Sequence, residues 1–344
     1  MTTGLSNDAS VRKSSVLMIL FLSTTKRHGF CLGLALFALF GTVAAPSAEA
    51  TEFGAYVGAG CDGAKRLPGF EQFAGRKVER TVDALDQRTW ADLESSIDWV
   101  IGCWDGVPVK LTLSVPMLTR DRSATLAEGA AGKYDETFRR VARTLVAHGR
   151  DDATIRIGWE FNGDWQPWSA AKDPAAFVTY FRRIVGLMRE TPSQRFSFEW
   201  CPNHGRHQMD PTEAYPGDDV VDVIGMDVYD ESWTPLDRDP TSRWTKYVYQ
   251  PFGLEWQKTF AAQHRKQIAF SEWGTGRNPH GTGGADNPVF IRGMASWFAA
   301  NKPLYQSYWD NPSPEFNTML SNGQFPRAAA EFVKQFGPDA AARP

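Results

Sequence analysis

Two glutamates in this chain have neighbours suited to the hydrolysis of a glycosidic bond. Glu160 lies within Arg156-Ile-Gly-Trp-Glu-Phe-Asn-Gly-Asp-Trp-Gln-Pro-Trp168, and Glu272 lies within Ser271-Glu-Trp-Gly274. Such a reaction needs one carboxylic acid to protonate the leaving oxygen and one carboxylate to attack or stabilise the anomeric carbon. Each glutamate directly follows a short apolar run. The pair therefore indicates a glycosidase, provided that the fold brings both residues to one site.

Polar and aromatic residues accompany the first glutamate. Asn162, Trp165 and Trp168 follow Glu160 within eight positions, and indole rings supply the flat apolar surface on which a sugar packs. Considered alone, Glu160 could instead be a strand-end carboxylate paired with Arg156 or a lysine. The aromatic neighbours and the second glutamate favour the catalytic interpretation.

The elements that would position these residues alternate between strand and helix. Short β-branched or aromatic runs bounded by Gly or Pro are separated by segments of helical period, which is typical of a parallel sheet covered by helices. The predicted strands are 55–60, 77–82, 109–115, 154–158, 195–201, 221–226, 267–271 and 304–308. The predicted helices are 89–101, 134–148, 174–189, 254–264, 288–300 and 327–336.

This eightfold alternation predicts an α/β fold, a single (β/α)8 TIM barrel over residues 51–344. A doubly wound open sheet is the alternative, but it would carry a phosphate-binding glycine signature after the first strand. The turn here, Gly58-Ala-Gly-Cys-Asp-Gly63, lacks that spacing and is expected to lead into a loop. In a barrel, both glutamates would lie at the C-terminal ends of their strands, where active sites form.

The motifs resemble glycoside hydrolase family 26 in clan A, which is known chiefly for secreted β-mannanases. The resemblance covers most of residues 54–340, and its motifs follow the family's order. They are 156–168, Trp200-Cys-Pro-Asn203, Tyr215-Pro-Gly-Asp-Asp219, Val221-Asp222, Ile224-Gly-Met-Asp-Val-Tyr229 and 271–274.

The resemblance implies a role for several residues. Glu160 would be the general acid/base and Glu272 the nucleophile of a retaining mechanism, which uses no cofactor. Tyr229 would donate a hydrogen bond to the nucleophile. Trp165 and Trp168 match the aromatic pair that forms the sugar platform on the leaving-group side.

Further residues are candidates for substrate contact. Family members commonly have His immediately before the acid/base, whereas this chain has Trp159. The remaining candidates are Arg156, Asn162, Asn203, Trp273 and Trp309. Asn203 could instead cap a loop, and Trp309 could instead pack in the core.

Other acidic residues have competing interpretations. Glu199 could be a third catalytic carboxylate or a buried ion-pair partner of Arg156. An acidic group in the sixth strand region could bind calcium, although loop capping and strand-end hydrogen bonds are the favoured role. No metal site is predicted, because there is no Cys-x-x-Cys and only His204 and His207 form a near pair. The acidic group consists of Asp218, Asp219, Asp222, Asp227 and Asp230.

The first fifty residues predict a secretory signal peptide. Basic residues at 26–28 precede an apolar run from Phe30 to Ala45, and Ala48-Glu-Ala50 resembles a cleavage site. The run is shorter than the ~20 apolar residues of a membrane span, although an anchor is the alternative. We expect a secreted or periplasmic protein that begins near Thr51.

The cysteines suit an oxidising compartment but are not expected to pair. Cys61 should follow the first strand at the catalytic face, whereas Cys103 ends a helix at the opposite face. A strand of ~5 residues spans about 17 Å, far more than the ~7 Å allowed between bridged Cα atoms. A bond between Cys61 and Cys103 is therefore predicted to be absent.

Composition limits the partners. The 37 Lys and Arg residues against 40 Asp and Glu give a net charge of −3, so no basic excess is present for nucleic acid or an anionic membrane. The 13 Trp, 9 Tyr and 22 Phe residues suit stacking on a flat ligand. We expect a monomer that acts on a polysaccharide or oligosaccharide.

The sequence thus predicts a retaining glycoside hydrolase that cleaves a β-linked polysaccharide, with endo-β-1,4-mannanase-like activity favoured. A β-glucan or a bacterial exopolysaccharide remains open as the substrate. A non-catalytic carbohydrate-binding barrel and a transglycosylase are the functional alternatives.

Overall fold

The computed structural model describes residues 50–338, and the elements alternate along this part of the chain. The strands are β1 Glu52–Tyr56, β2 Arg80–Ala84, β3 Lys110–Val115, β4 Thr154–Ile157, β5 Ser197–Trp200, β6 Val223–Gly225, β7 Val228–Asp230, β8 Gln267–Thr275 and β9 Tyr305–Trp309. The helices are α1 Gly60–Ala74, α2 Trp90–Gly102, α3 Leu126–Ala130, α4 Asp135–Ala147, α5 Pro174–Arg189, α6 Pro240–Tyr249, α7 Leu254–His264, α8 Pro288–Asn301 and α9 Pro326–Phe336.

The strands form a closed parallel barrel, as predicted. β1 to β6 pair in chain order, β6 pairs with β8, β8 with β9, and β9 returns to β1. The sixth stave of the barrel is divided into β6 and β7. β6 pairs with the first residues of β8, whereas β7 pairs with Trp273, Gly274 and Thr275 at its end. The division at Met226 and Asp227 matters for the site, since Asp227 faces the barrel interior there.

The predicted helices agree with the observed ones to within one residue at most ends, but two full helices were missed. α1 contains Pro68, Gly63 and Gly69, which weaken the helical pattern, yet it buries Leu67 and Phe70 against the barrel. α6 was also missed, although Asp239 caps its first turn through the Ser242 amide. The turn at 58–63 therefore leads into a helix, contrary to the sequence prediction.

Local sequence signals explain why the predicted bounds of α5 match the observed ones. The Asp173 carboxylate accepts a hydrogen bond from the Ala176 amide, and Pro174 occupies the first helical position. The predicted apolar face of this helix is buried in the core, and it packs beneath the loop that carries Glu160. Phe177 contacts Phe161 in that loop with ring centroids 4.8 Å apart.

The prediction about the cysteines was wrong, because Cys61 and Cys103 form a disulfide. Cys61 lies in the first turn of α1 and not in a loop, and Cys103 is the residue that ends α2. The indole of Trp99 packs over Gly60 so closely that a β-carbon there would collide with it. The end of α2 therefore lies beside the start of α1. The sequence prediction had placed the end of α2 at the face of the barrel opposite Cys61, and this placement was wrong. Cys201 is buried and unbridged.

The predicted signal segment lies outside the described residues apart from Ala50, and residues 339–344 lie outside them as well. Between residues 50 and 338, none of the helices has the length and apolarity that a membrane crossing requires.

The disulfide should stabilise the barrel measurably. It joins residues 42 positions apart, and the chain-entropy model gives about 4 kcal/mol for a loop of that size. We expect the Cys61→Ser/Cys103→Ser variant to lose about 2–4 kcal/mol of unfolding free energy in urea titrations. Reductant should lower the stability of the wild type to that of the variant and leave the variant unaffected. Equal stability of the wild type with and without reductant would contradict this expectation.

Candidate active site

Glu160 is presented by a strained turn directly after β4. Its backbone has φ +54°, a left-handed conformation that is unfavourable for a residue with a side chain. Two hydrogen bonds hold this turn: the Glu160 amide donates to the Cys201 carbonyl at 2.8 Å, and the Gly163 amide donates to the Glu160 carbonyl at 3.2 Å. Strain of this kind persists where the surrounding structure imposes it and is common at functional sites.

The Glu160 carboxylate is half-buried and receives hydrogen bonds from neutral groups only. The indole N–H of Trp165 donates to Oε2 at 2.7 Å, and the side-chain amide of Asn203 donates to Oε1. Asn162 is fully buried and fixes Asn203, since the two residues exchange hydrogen bonds of 2.9 and 2.8 Å. Asn162 therefore positions a neighbour of Glu160 and is not itself available to substrate, contrary to the sequence prediction.

Glu272 lies on β8 and is 8% exposed. Nη1 of Arg156 donates to its Oε1 at 2.6 Å, and the Tyr229 hydroxyl donates to its Oε2 at 2.8 Å. The contact from Tyr229 is the one that the family resemblance implied. Each carboxylate oxygen of Glu272 thus accepts a hydrogen bond from a side chain inside the barrel.

Arg156 is fully buried and joins two carboxylates. Besides Glu272, its guanidinium donates to Asp227, and it also donates to the Ser114 hydroxyl at 3.0 Å. Burial alone would lower the pKa of Arg156, but Asp227 and Glu272 outweigh this and hold that pKa well above its usual value. Arg156 was predicted to bind substrate; its burial makes it a positioning residue.

Burial is the largest influence on the pKa of both carboxylates that pair with Arg156, Glu272 and Asp227. It raises the pKa of Glu272, with Arg156 acting against it and the charge of Glu160 adding to it. Burial likewise raises the pKa of Asp227, again opposed by Arg156. The Arg156 guanidinium therefore lowers the pKa of both carboxyls and partly offsets the effect of burial.

Three predicted sugar-contacting tryptophans are buried. Trp168 is fully buried and donates its indole N–H to the Trp159 carbonyl at 2.7 Å. Trp159 is 6% exposed and lies over the Arg156 guanidinium at 5.2 Å. Trp273 is fully buried and donates to Gln306 at 2.6 Å. These three side chains pack in the core and do not form a sugar platform.

The other two predicted tryptophans reach the surface of the site. Trp165 is 41% exposed, so the leaving-group platform has one of its two proposed members. Trp309 is half-buried and stacks on Tyr56 with ring centroids 3.7 Å apart. Burial, and then the charges of Asp83 and Glu272, raise the pKa of Tyr56, which places this stack within electrostatic reach of the nucleophile candidate.

An open pocket of about 550 Å³ lies beside Glu160. Sequence reasoning identified four of its lining residues as site residues and missed the others, which lie in loops without a recognisable motif. Trp233 is 61% exposed, and Phe316 packs against Tyr229 with ring centroids 5.2 Å apart. The lining consists of Glu160, Trp165, Asn203 and Tyr229, which were predicted, and of Arg206, His207, Glu231, Trp233 and Phe316, which were not.

Glu231 is a partly buried carboxyl of this pocket. Burial, partly offset by the Trp233 indole and reinforced by the charge of Glu160, raises the pKa of Glu231 to about 7. His207 contacts the site differently: its Nε2 lies 2.8 Å from Oδ1 of Asn203.

The remaining acidic candidates have protein partners. Glu199 accepts hydrogen bonds from Ser271 and Tyr305 inside the barrel, so its predicted ion pair with Arg156 is not formed. Among the five aspartates, Asp219 pairs with Arg182, and Asp222 accepts from the Phe198 amide. No group of three or more His, Cys, Asp or Glu side chains suited to a metal ion occurs in the described part of the chain.

This chain is similar to known proteins in part of its sequence and in its fold. The model of glycosyl hydrolase family 26 matches residues 150–245. A mannan endo-1,4-beta-mannosidase of Bifidobacterium adolescentis is 30% identical over 200 residues, which cover 52% of this chain and 19% of that protein. The chain thus spans about a fifth of the length of this curated relative.

Solved structures share the barrel at low sequence identity. A double mutant of the Cellulomonas fimi endo-beta-1,4-mannanase has a TM-score of 0.62 and 18% identity, with 86% of this chain and 73% of that chain covered. The catalytic domain of the Bacillus sp. JAMB-750 GH26 endo-beta-1,4-mannanase has a TM-score of 0.57 and 17% identity, with 85% and 86% covered. The predicted resemblance to glycoside hydrolase family 26 is therefore confirmed by the family match to residues 150–245, and the solved structures confirm the barrel fold.

Proposed function

We propose that this protein is a retaining glycoside hydrolase that cleaves a β-linked polysaccharide in the manner of an endo-β-1,4-mannanase. The observation that carries the proposal is the contrast between two glutamates at the same end of the barrel. Glu272 is buried against a cationic guanidinium, whereas Glu160 has only neutral partners and borders an open pocket. Glu272 thus has a counterion for the negative charge of a nucleophile, whereas Glu160 borders the space in which a leaving group would lie.

In the first step, Glu160 donates its proton to the glycosidic oxygen while the Glu272 carboxylate attacks the anomeric carbon. The bond to the leaving sugar breaks and an ester to Glu272 forms. Arg156 and Tyr229 hold the two oxygens of Glu272 and so restrict its orientation. Asp227 remains paired with Arg156 when Glu272 loses its charge, so the guanidinium keeps a counterion throughout.

In the second step, Glu160 removes a proton from water, and the resulting hydroxide attacks the anomeric carbon. The ester breaks, Glu272 becomes a carboxylate again, and the sugar has its original configuration. In the intermediate Glu272 is an uncharged ester, so the site holds one fewer negative charge when water enters. The same residue can therefore act first as acid and then as base.

Mannan is the favoured substrate because the relative with 30% identity and the similar solved structures are named as mannanases. The exposed face of Trp165 beside Glu160 supports binding of a pyranose ring on the leaving-group side. We also propose that the protein acts as a monomer.

A panel of mannan, mixed-linkage β-glucan and a bacterial exopolysaccharide tests the activity through reducing-sugar release. We expect release from mannan, with the β-anomer formed first in proton NMR. Glu272→Ala should lose at least ~10³-fold in kcat and regain turnover with azide as an α-glycosyl azide. Glu255→Gln, which changes a half-buried glutamate of α7 that pairs with Lys258, is the matched control. First release of the α-anomer would remove Glu272 from the nucleophile role, and binding without hydrolysis would indicate a carbohydrate-binding barrel.

The hydroxyl of Tyr229 should set the acidic limb of the pH profile. Because it donates to Glu272, it opposes the burial that raises the pKa of that carboxyl. Tyr229→Phe should raise this pKa further and move the acidic limb of kcat/KM to higher pH by about one unit, as expected for a hydrogen bond to a charged group. Tyr249→Phe, which changes an exposed tyrosine, should leave the profile in place. An unmoved acidic limb in Tyr229→Phe would rule out this role.

We also propose that the protein is secreted or periplasmic. The apolar segment at 30–45 supports this, and a disulfide between Cys61 and Cys103 suits an oxidising compartment. Expression of the full chain in a bacterial host should give an extracytoplasmic protein whose first residue, by N-terminal sequencing, lies near Thr51. Retention of the full-length chain in the cytoplasm would contradict the proposal.

A further inference from the structure

We propose that Glu231 determines specificity on the leaving-group side, where its carboxylate accepts hydrogen bonds from two adjacent hydroxyl groups of a neutral sugar unit. The inference rests on the proposed function, because it uses Glu160 as the acid that protonates the leaving oxygen. Glu231 lines the same pocket as Glu160 and Trp165. A sugar leaving beside Glu160 would therefore come within reach of Glu231.

The backbone at Glu231 is fixed by a single side chain. The Tyr247 hydroxyl accepts from the Glu231 amide at 2.6 Å and donates to the Glu231 carbonyl at 2.8 Å. The next amide, of Ser232, donates to the Thr282 carbonyl at 2.6 Å. A rigid support of this kind is what a binding group needs to hold its geometry.

The carboxylate of Glu231 has one protein donor for each oxygen. The Asn278 side-chain amide donates to Oε1 at 3.1 Å, and the Trp233 indole donates to Oε2 at 3.3 Å. Above its pKa of about 7 Glu231 is ionised, and each oxygen of the carboxylate can then accept about two hydrogen bonds, so one position on each remains for a ligand. The two donors orient the carboxylate without saturating it.

Glu231 also differs from its chain neighbour in charge pairing. Asp230 is fully buried and forms an ion pair with Arg243 at 2.7 Å, whereas no Lys, Arg or His within residues 50–338 forms one with Glu231. A partly buried carboxylate without a cation is unfavourable for folding. Core packing does not explain the position of Glu231, whereas contact with a ligand in the pocket would explain it.

The pocket chemistry favours a neutral sugar. Two parallel acceptor oxygens match the spacing of adjacent hydroxyl groups, and the indoles of Trp165 and Trp233 provide apolar faces for the ring. Arg206 lines the same pocket, which disfavours a cationic amino sugar, and the two glutamates disfavour an acidic one. A hexose with a free vicinal diol fits these constraints.

The Glu231→Gln variant tests this, since it keeps the shape and replaces one acceptor oxygen with a donor. We expect kcat/KM for β-1,4-mannopentaose to fall at least tenfold more than kcat/KM for an aryl β-mannobioside, whose leaving group has no hydroxyl pair. The excess loss should be in KM. Glu231→Asp, which retracts the carboxylate but keeps its charge, should show the same selective loss. Glu255→Gln, measured in parallel, should match the wild type on both substrates.

Equal losses on the two substrates, or no loss on either, would overturn the proposal. If the wild type cleaves neither substrate, the proposed function fails separately, and calorimetric titration with mannopentaose then decides the binding role. Binding to Glu231→Gln at least tenfold weaker than to the wild type would support the assignment, and equal affinity would refute it. Circular dichroism and melting temperature establish that each variant is folded.

Discussion

The ion pair network of Arg156 is the constraint on which the rest of the site depends. A fully buried guanidinium requires carboxylate partners, because an unpaired charge in the barrel interior is severely unfavourable. Arg156 has two partners, Glu272 and Asp227, and of these only Glu272 is partly exposed. In the proposed mechanism, Asp227 keeps the guanidinium paired while Glu272 reacts. Within one network, Asp227 therefore stabilises the buried cation, and Glu272 is the residue proposed to react.

The division of the sixth stave lies next to that network. Alternate side chains of a strand face the inside and the outside of a barrel, so residues two apart share a face. Asp227, between β6 and β7, and Tyr229, in β7, share the inner face and reach Arg156 and Glu272. The bridge between Asn203 and Asp227 and the hydrogen bond from Met226 to Ala269 hold the interruption. The irregular part of the barrel is thus the part that builds the site.

The sequence allowed the barrel, its closure and the neighbours of both glutamates to be predicted, because strand periodicity and strand-end position are local signals. It could not separate Trp165, which is exposed, from Trp168 and Trp273, which are buried, since residue type does not reveal which way an indole faces. The sequence also does not show that the end of α2 lies beside the start of α1, and this caused the error about the cysteines. Glu231 was missed because its environment is assembled from distant parts of the chain, Tyr247 of α6 and Asn278 of a loop.

The disulfide between Cys61 and Cys103 makes a covalent ring out of the chain from α1 to the end of α2, with β2 inside it. A protease that cuts the backbone once anywhere within that ring leaves a single covalent molecule, since the two new ends remain linked through sulfur. The seam where β9 meets β1 lies outside the ring and is held by hydrogen bonds and packing. The barrel should therefore begin to open where its first and last strands meet, and a single backbone cut should be tolerated best between Cys61 and Cys103.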